Sequence, residues 1–161
     1  ITHSPQEGED EIMTNIPLEG VFPIGRLDKD SYGLIILTDD GRITDGLLNP
    51  DREHEKEYEV STRDALPASF KVKMEAGVDI GGYTTKRCAV RILGSRKFTI
   101  TLTEGKKHQI RRMCGAFGQS AIHLKRTRVM NVSLGALRAN EYRPIEGAEL
   151  SAFLQSLGIK R

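Results

Sequence analysis

The chain has 161 residues, 38% hydrophobic and 29% charged, a balance that suits one folded domain and excludes a disordered polyelectrolyte. No apolar run approaches the roughly 20 residues that cross a bilayer, and the first ten residues lack the basic and apolar regions of a secretory signal, so a cytoplasmic protein is expected. Net charge is only +2, yet residues 1–60 hold 5 Lys or Arg against 15 Asp or Glu, a net of −10, which leaves +12 on the remainder.

The first twenty residues are polar and acidic and read as a loop. A short strand is expected over 21–26 and a buried one over 33–38, closed by the turn formers Asp39-Asp40-Gly41. A short helix over 42–48 stops at Asn49-Pro50, and a strand follows over 56–62 with Tyr58 and Val60 on one side. Pro67 suits the first turn of a helix running to about residue 76, which Gly77 closes. β-branched content and the Gly94-Ser95 turn predict an antiparallel hairpin over 85–93 and 97–103. From 106 to 117 the apolar residues Ile110, Met113, Cys114 and Phe117 recur at i, i+3, i+4 and i+7, the stripe of an amphipathic helix that Gly118 ends. Strands over 121–129 and 141–145 and a helix over 148–157 complete an α+β domain with a largely antiparallel mixed sheet and flanking helices.

Three segments can carry chemistry. In GRLDKDSYG (25–33), Asp28 lies between two strands beside Arg26, within glycines that let backbone approach a ligand. The spacing nearly meets a calcium-loop pattern, but Tyr32 stands at a ligand position, Asp39 replaces the bidentate glutamate, and strands flank the loop. Asp28 and Asp30 also fit simple turn aspartates that satisfy backbone donors. In EKEY (55–58), Tyr58 at the start of a strand serves packing, or offers a stacking face to a base taken out of its helix.

The third segment, EGKKHQIRRM (104–113), leads from a glycine turn into a basic helix suited to phosphate. It reads either as a solvated surface helix or as one whose Arg111 points inward. An inward arginine needs a carboxylate partner, and Asp28 would suit, kept ionised by the neighbouring cation. Between Glu104 and Glu141 there is no acidic residue, while Lys106, Lys107, Arg111, Arg112, Lys125, Arg126, Arg128 and Arg138 all fall there. A polyanion can dock on such a face. His108 and His123 have no third ligand near in sequence, so packing or RNA contact is expected of them and a metal is not. Cys88 and Cys114 stand 26 positions apart with no CxxC pair, which reads as two reduced thiols.

Taken in this order, the three segments strongly resemble the active-site segments of the RsuA-type ribosomal RNA pseudouridine synthases. KRTRVMNVSLG (125–135) and NEYRP (140–144) resemble that family's closing segment, and the resemblance covers nearly the whole chain from Val21 to Ile145. It implies a pseudouridine synthase catalytic fold, a uridine of ribosomal RNA as substrate, and no metal or organic cofactor. The family's catalytic aspartate falls on Asp28, its active-site tyrosine on Tyr58 and its aspartate-pairing arginine on Arg111. RNA contacts are expected from Arg26, Lys106, Lys107, Arg112, Lys125, Arg126 and Arg128, in a monomer. The family's S4-like domain and its first strand, with an Asn-Lys-Pro segment, are absent from residues 1–161, so a catalytic domain from a longer polypeptide is expected. The 125–135 segment leans toward the large-subunit branch. Two other functions fit parts of the pattern: a non-catalytic RNA-binding module, and a glycosidic hydrolase. The hydrolase would need a second carboxylate roughly 5–10 Å from the first, which Asp30 supplies only if its loop folds back.

Overall fold

The structure is a computed structural model that describes residues 17–49 and 51–160. Residues 1–16 of the loop expected over the first twenty, and Pro50, lie outside the described residues. The strand expected over 21–26 is β1 (Phe22–Ile24), which pairs antiparallel with β3 (Ile36–Thr38). The single strand expected over 33–38 is divided. Its first part is β2 (Tyr32–Gly33), which leaves that hairpin and pairs parallel with β7 (Ala121–Val129). Helix α1 (Gly41–Leu48) begins where the Asp40 carboxylate accepts the Arg42 N–H at 2.9 Å, an N-cap that satisfies one orphan donor. Ile43 and Leu47, one turn apart, are its buried face.

β4 (Lys56–Thr62) is the centre of the main sheet, between β7 and β6 (Lys97–Leu102), with β5 (Ala89–Gly94) at the edge. The order β2-β7-β4-β6-β5 is antiparallel throughout except for β2 against β7. β8 (Val132–Ser133), which local pattern does not announce, folds back on β7. Helix α2 (Phe70–Glu75) starts three residues after Pro67, whose carbonyl accepts the Phe70 N–H at 3.0 Å. The last two helices are α3 (Gln109–Ala116) and α4 (Gly147–Ser156).

No strand forms over 141–145, where Pro144 offers no ladder donor. The Arg143 guanidinium instead holds Glu149 at 2.6 Å and the Ser133 carbonyl at 3.0 Å, so the segment is strapped on by side chains.

Alternation along the strands builds two cores. Val60, Phe98, Ile100, Leu102 and Leu124 on one sheet face meet Phe70 and Met74 of α2 and Ile110, Met113 and Cys114 of α3. Phe70 sets its edge on Phe98 with ring centroids 4.9 Å apart, a favoured aromatic geometry. A second core joins Ile24, Leu34 and Ile36 to Ile43 and Leu47 of α1, Val129 and Val132, and Phe153 of α4. Among the described residues no helix is long and apolar enough to cross a membrane.

Candidate active site

Asp28 is carried by a tight turn between β1 and β2. The Ser31 N–H donates to the Asp28 carbonyl at 2.8 Å, and the short polar residues of 28–31 suit such a turn. The turn delivers the chain into β2, where Gly33 stands opposite Arg126 of β7, and Arg126 stands opposite Tyr58 of β4. Gly33, Arg126 and Tyr58 therefore form one row across three strands. With roughly 4.8 Å between neighbouring strands, Tyr58 lies about 10 Å from Gly33. Tyr58 shares the side of Val60, as its spacing predicts, and packs against the larger core.

Helix α3 approaches the same turn. Arg111 Nη2 donates to the Asp30 carbonyl at 3.1 Å, a contact between residues 81 positions apart, and Nη1 donates to the Ala121 carbonyl at 2.8 Å. Of the two orientations left open for Arg111, the structure has the one that turns toward the Asp28 loop, but the carboxylate partner is corrected. Among the described residues Arg111 makes no ion pair with Asp28; backbone carbonyls take both ends of its guanidinium. The side chain that approaches the carboxylate is His108, with Nε2 3.8 Å from Asp28 Oδ1 and side chains 50% and 39% exposed. The sequence did not single out this pairing, because nothing in a Lys-His-Gln run announces the backbone turn that produces it. Asp30 is exposed.

The turn ahead of α3 is clamped from beneath. Glu104 accepts from the Tyr83 hydroxyl, from the Lys86 N–H at 2.7 Å and from Gln109 Nε2 at 3.1 Å. Gln109 in turn accepts the Lys106 N–H at 3.0 Å and is buried. The hydrogen bond to Glu104, assisted by burial, raises the Tyr83 phenol above its ordinary pKa, so the ring stays neutral under Lys106 Nζ, 4.6 Å from its centroid. A lone glutamate five positions before a glutamine, at the head of a basic run, was the available signal for this clamp.

The expected phosphate-binding cations divide. Arg26, Lys106 and Lys107 are exposed, and Lys125 is half-buried. Arg126 is corrected: it is 5% exposed, and its Nε donates to the Leu34 carbonyl at 2.8 Å, tying β7 under β2 instead of facing RNA. Arg128 is likewise engaged within the fold, with Glu55 at 3.2 Å and the Met130 carbonyl at 2.6 Å. Arg112, though exposed, spans the Ile80 and Lys107 carbonyls. Near Tyr58, burial first and the Arg126 charge second push the Lys56 ammonium below its ordinary pKa. Among the described residues no three His, Cys, Asp or Glu gather in a cage for a metal ion.

Residues 17–116 match the family described as RNA pseudouridylate synthase. The chain belongs to that family. Over 130 residues, 81% of this chain and 45% of the relative, it is 47% identical to the dual-specificity RNA pseudouridine synthase RluF of Escherichia coli. It is 40% identical over 135 residues to the uncharacterized RNA pseudouridine synthase YtzG of Bacillus subtilis, 80% of this chain and 56% of that one. A crystal structure of a pseudouridylate synthase superposes with a TM-score of 0.83 at 29% identity, covering 89% of this chain and 65% of the other. The pseudouridine synthase fold expected from the ordered segments is therefore the fold observed. The chain spans about half the length of the curated relatives it matches.

Proposed function

We propose that this chain is the catalytic part of an RNA pseudouridine synthase that isomerises uridine in ribosomal RNA, with large-subunit RNA favoured, and that Asp28 starts the reaction. The observation that carries this reading is the meeting of the Asp28 turn with the first turn of α3, just ahead of a strand whose Gly33 is linked through Arg126 to Tyr58, in a chain of this family.

The isomerisation breaks the N1 to C1′ bond, turns the uracil in place and joins C5 to C1′. One proton leaves C5 and one is gained at N1, so no outside reactant is consumed. The needs are a carboxylate at the sugar, a wall that retains the free base, and cations that hold the flipped nucleotide. Asp28 supplies the carboxylate, either attacking the nucleotide or removing a sugar proton. Tyr58 offers the stacking face and a hydroxyl for the proton at C5. Arg111 braces the Asp28 turn through the Asp30 carbonyl. Arg26, Lys106, Lys107 and Lys125 are the cations left to hold phosphates. The two free thiols, Cys88 and Cys114, suit a reducing cytoplasm, where we place the protein as a monomer on RNA.

The test is Asp28→Asn in the full-length protein, with a large-subunit ribosomal RNA transcript. Pseudouridine formation is expected to vanish while RNA affinity stays within a few-fold. Appreciable turnover by this variant would show that Asp28 does not start the reaction. Loss of nothing but RNA affinity would favour a binding module.

A further inference from the structure

The residue that opens α3 stands in a backbone conformation that L-amino acids avoid. His108 has φ 51 and ψ 34, in the left-handed region, where a Cβ crowds the following carbonyl oxygen. Such strain persists where the surroundings enforce it and gathers at functional sites. Here it is enforced by the Glu104–Gln109 clamp, which fixes the turn on both sides of His108.

The conformation also has a direction, because it aims the imidazole at Asp28, with Nε2 3.8 Å from Oδ1. The neighbouring donors of α3 are committed elsewhere: Arg111 to the Asp30 and Ala121 carbonyls, Arg112 to the Ile80 and Lys107 carbonyls, and the Gln109 amide to Glu104. From the head of this helix it is His108 that reaches the carboxylate.

We propose that His108 is a positioning residue for Asp28, its Nε2–H donating to one carboxylate oxygen so that the other is aimed at the nucleotide. The inference rests on Asp28 being the reacting carboxylate. A small rotation of the ring brings the 3.8 Å separation into the roughly 2.6–3.2 Å range of a hydrogen bond, and such contacts tighten as substrate enters. Losing one charge-assisted bond that acts in the transition state lowers kcat by about 10–100-fold.

Three variants of the full-length protein separate this role from a structural one, each assayed on a saturating large-subunit ribosomal RNA transcript. His108→Asn keeps a residue tolerant of the left-handed backbone but too short to reach. His108→Gly removes the side chain and the strain together. His108→Gln places an amide nitrogen where Nε2 was. The expected result is a fall in kcat of about 10–100-fold for the Asn and Gly variants, with RNA affinity and thermal midpoint retained, and recovery to within a few-fold for Gln. Wild-type kcat in both Asn and Gly variants overturns the proposal, as does a Gln variant no better than Asn, or a loss confined to RNA affinity. Asp28→Asn run alongside distinguishes the two ideas: a dead Asp28→Asn with a fully active His108→Gly rejects His108 alone, whereas an active Asp28→Asn rejects the reading beneath it.

Discussion

Gly33→Ala is expected to damage the join between β2 and β7 and, through it, the placement of Asp28. Gly33 has φ 115, and a Cβ there would lie 2.7 Å from the Arg126 nitrogen and 3.0 Å from its carbonyl carbon, with the carbonyl oxygen closer still. These are backbone atoms of a central strand, so the short strand has to yield. Two hydrogen bonds hold that join beside the clash: Leu34 N–H to the Arg126 carbonyl and Arg126 Nε to the Leu34 carbonyl, each 2.8 Å. A non-glycine residue at such a φ costs about 1–3 kcal/mol. Each disrupted bond adds about 1 kcal/mol, which brings the total with both lost to about 3–5 kcal/mol. Urea unfolding reads the global loss, and hydrogen exchange at the Leu34 amide reads a local one if β2 detaches while the sheet survives. An unchanged midpoint together with an equally protected Leu34 amide would refute the reasoning, because the added methyl would then have been accommodated without opening the join.

Two further outcomes follow from shifted titrations. Burial pushes the Cys88 thiol up to about 11 and the Cys114 thiol up to about 12, so neither should react with a thiol reagent at neutral pH until urea unfolds the chain, and rapid labelling of the native protein would contradict this. The Val90 N–H, then Lys71, hold the Glu75 carboxyl below its ordinary 4.5, so the stability difference between wild type and Glu75→Gln should be full at neutral pH and shrink as pH falls below 4.5; a constant difference through the acid range would remove Glu75 from the account.

Strongly periodic elements were legible from residues alone. The strand over 56–62 and that over 121–129 match β4 and β7, and the apolar stripe of Ile110, Met113 and Cys114 is the buried face of α3. The division of 32–38 into β2 and β3 was not, because it depends on Leu34 reaching Arg126, a partner 92 positions away. The burial of Arg126 was legible in principle: it stands two residues from buried Leu124 on the same strand, so alternation already turned it inward. Segment order singled out Asp28, Tyr58 and Arg111 as candidates, but not the contacts of Arg111 and Asp28. Arg111 binds carbonyls and His108 faces the carboxylate because of a left-handed turn that no side-chain pattern encodes.

β7 runs through both cores, giving Leu124 to the larger and Val129 to the smaller. Asp28 is hung from strands rooted in the smaller nucleus, while Tyr58 and the start of α3 are fastened to the larger. The alignment on which the proposed reaction rests is consequently owned by neither nucleus. It is a property of their junction, so the proposal implies that substitutions deep beneath α1 or α4 lower turnover from a distance while touching none of the three side chains.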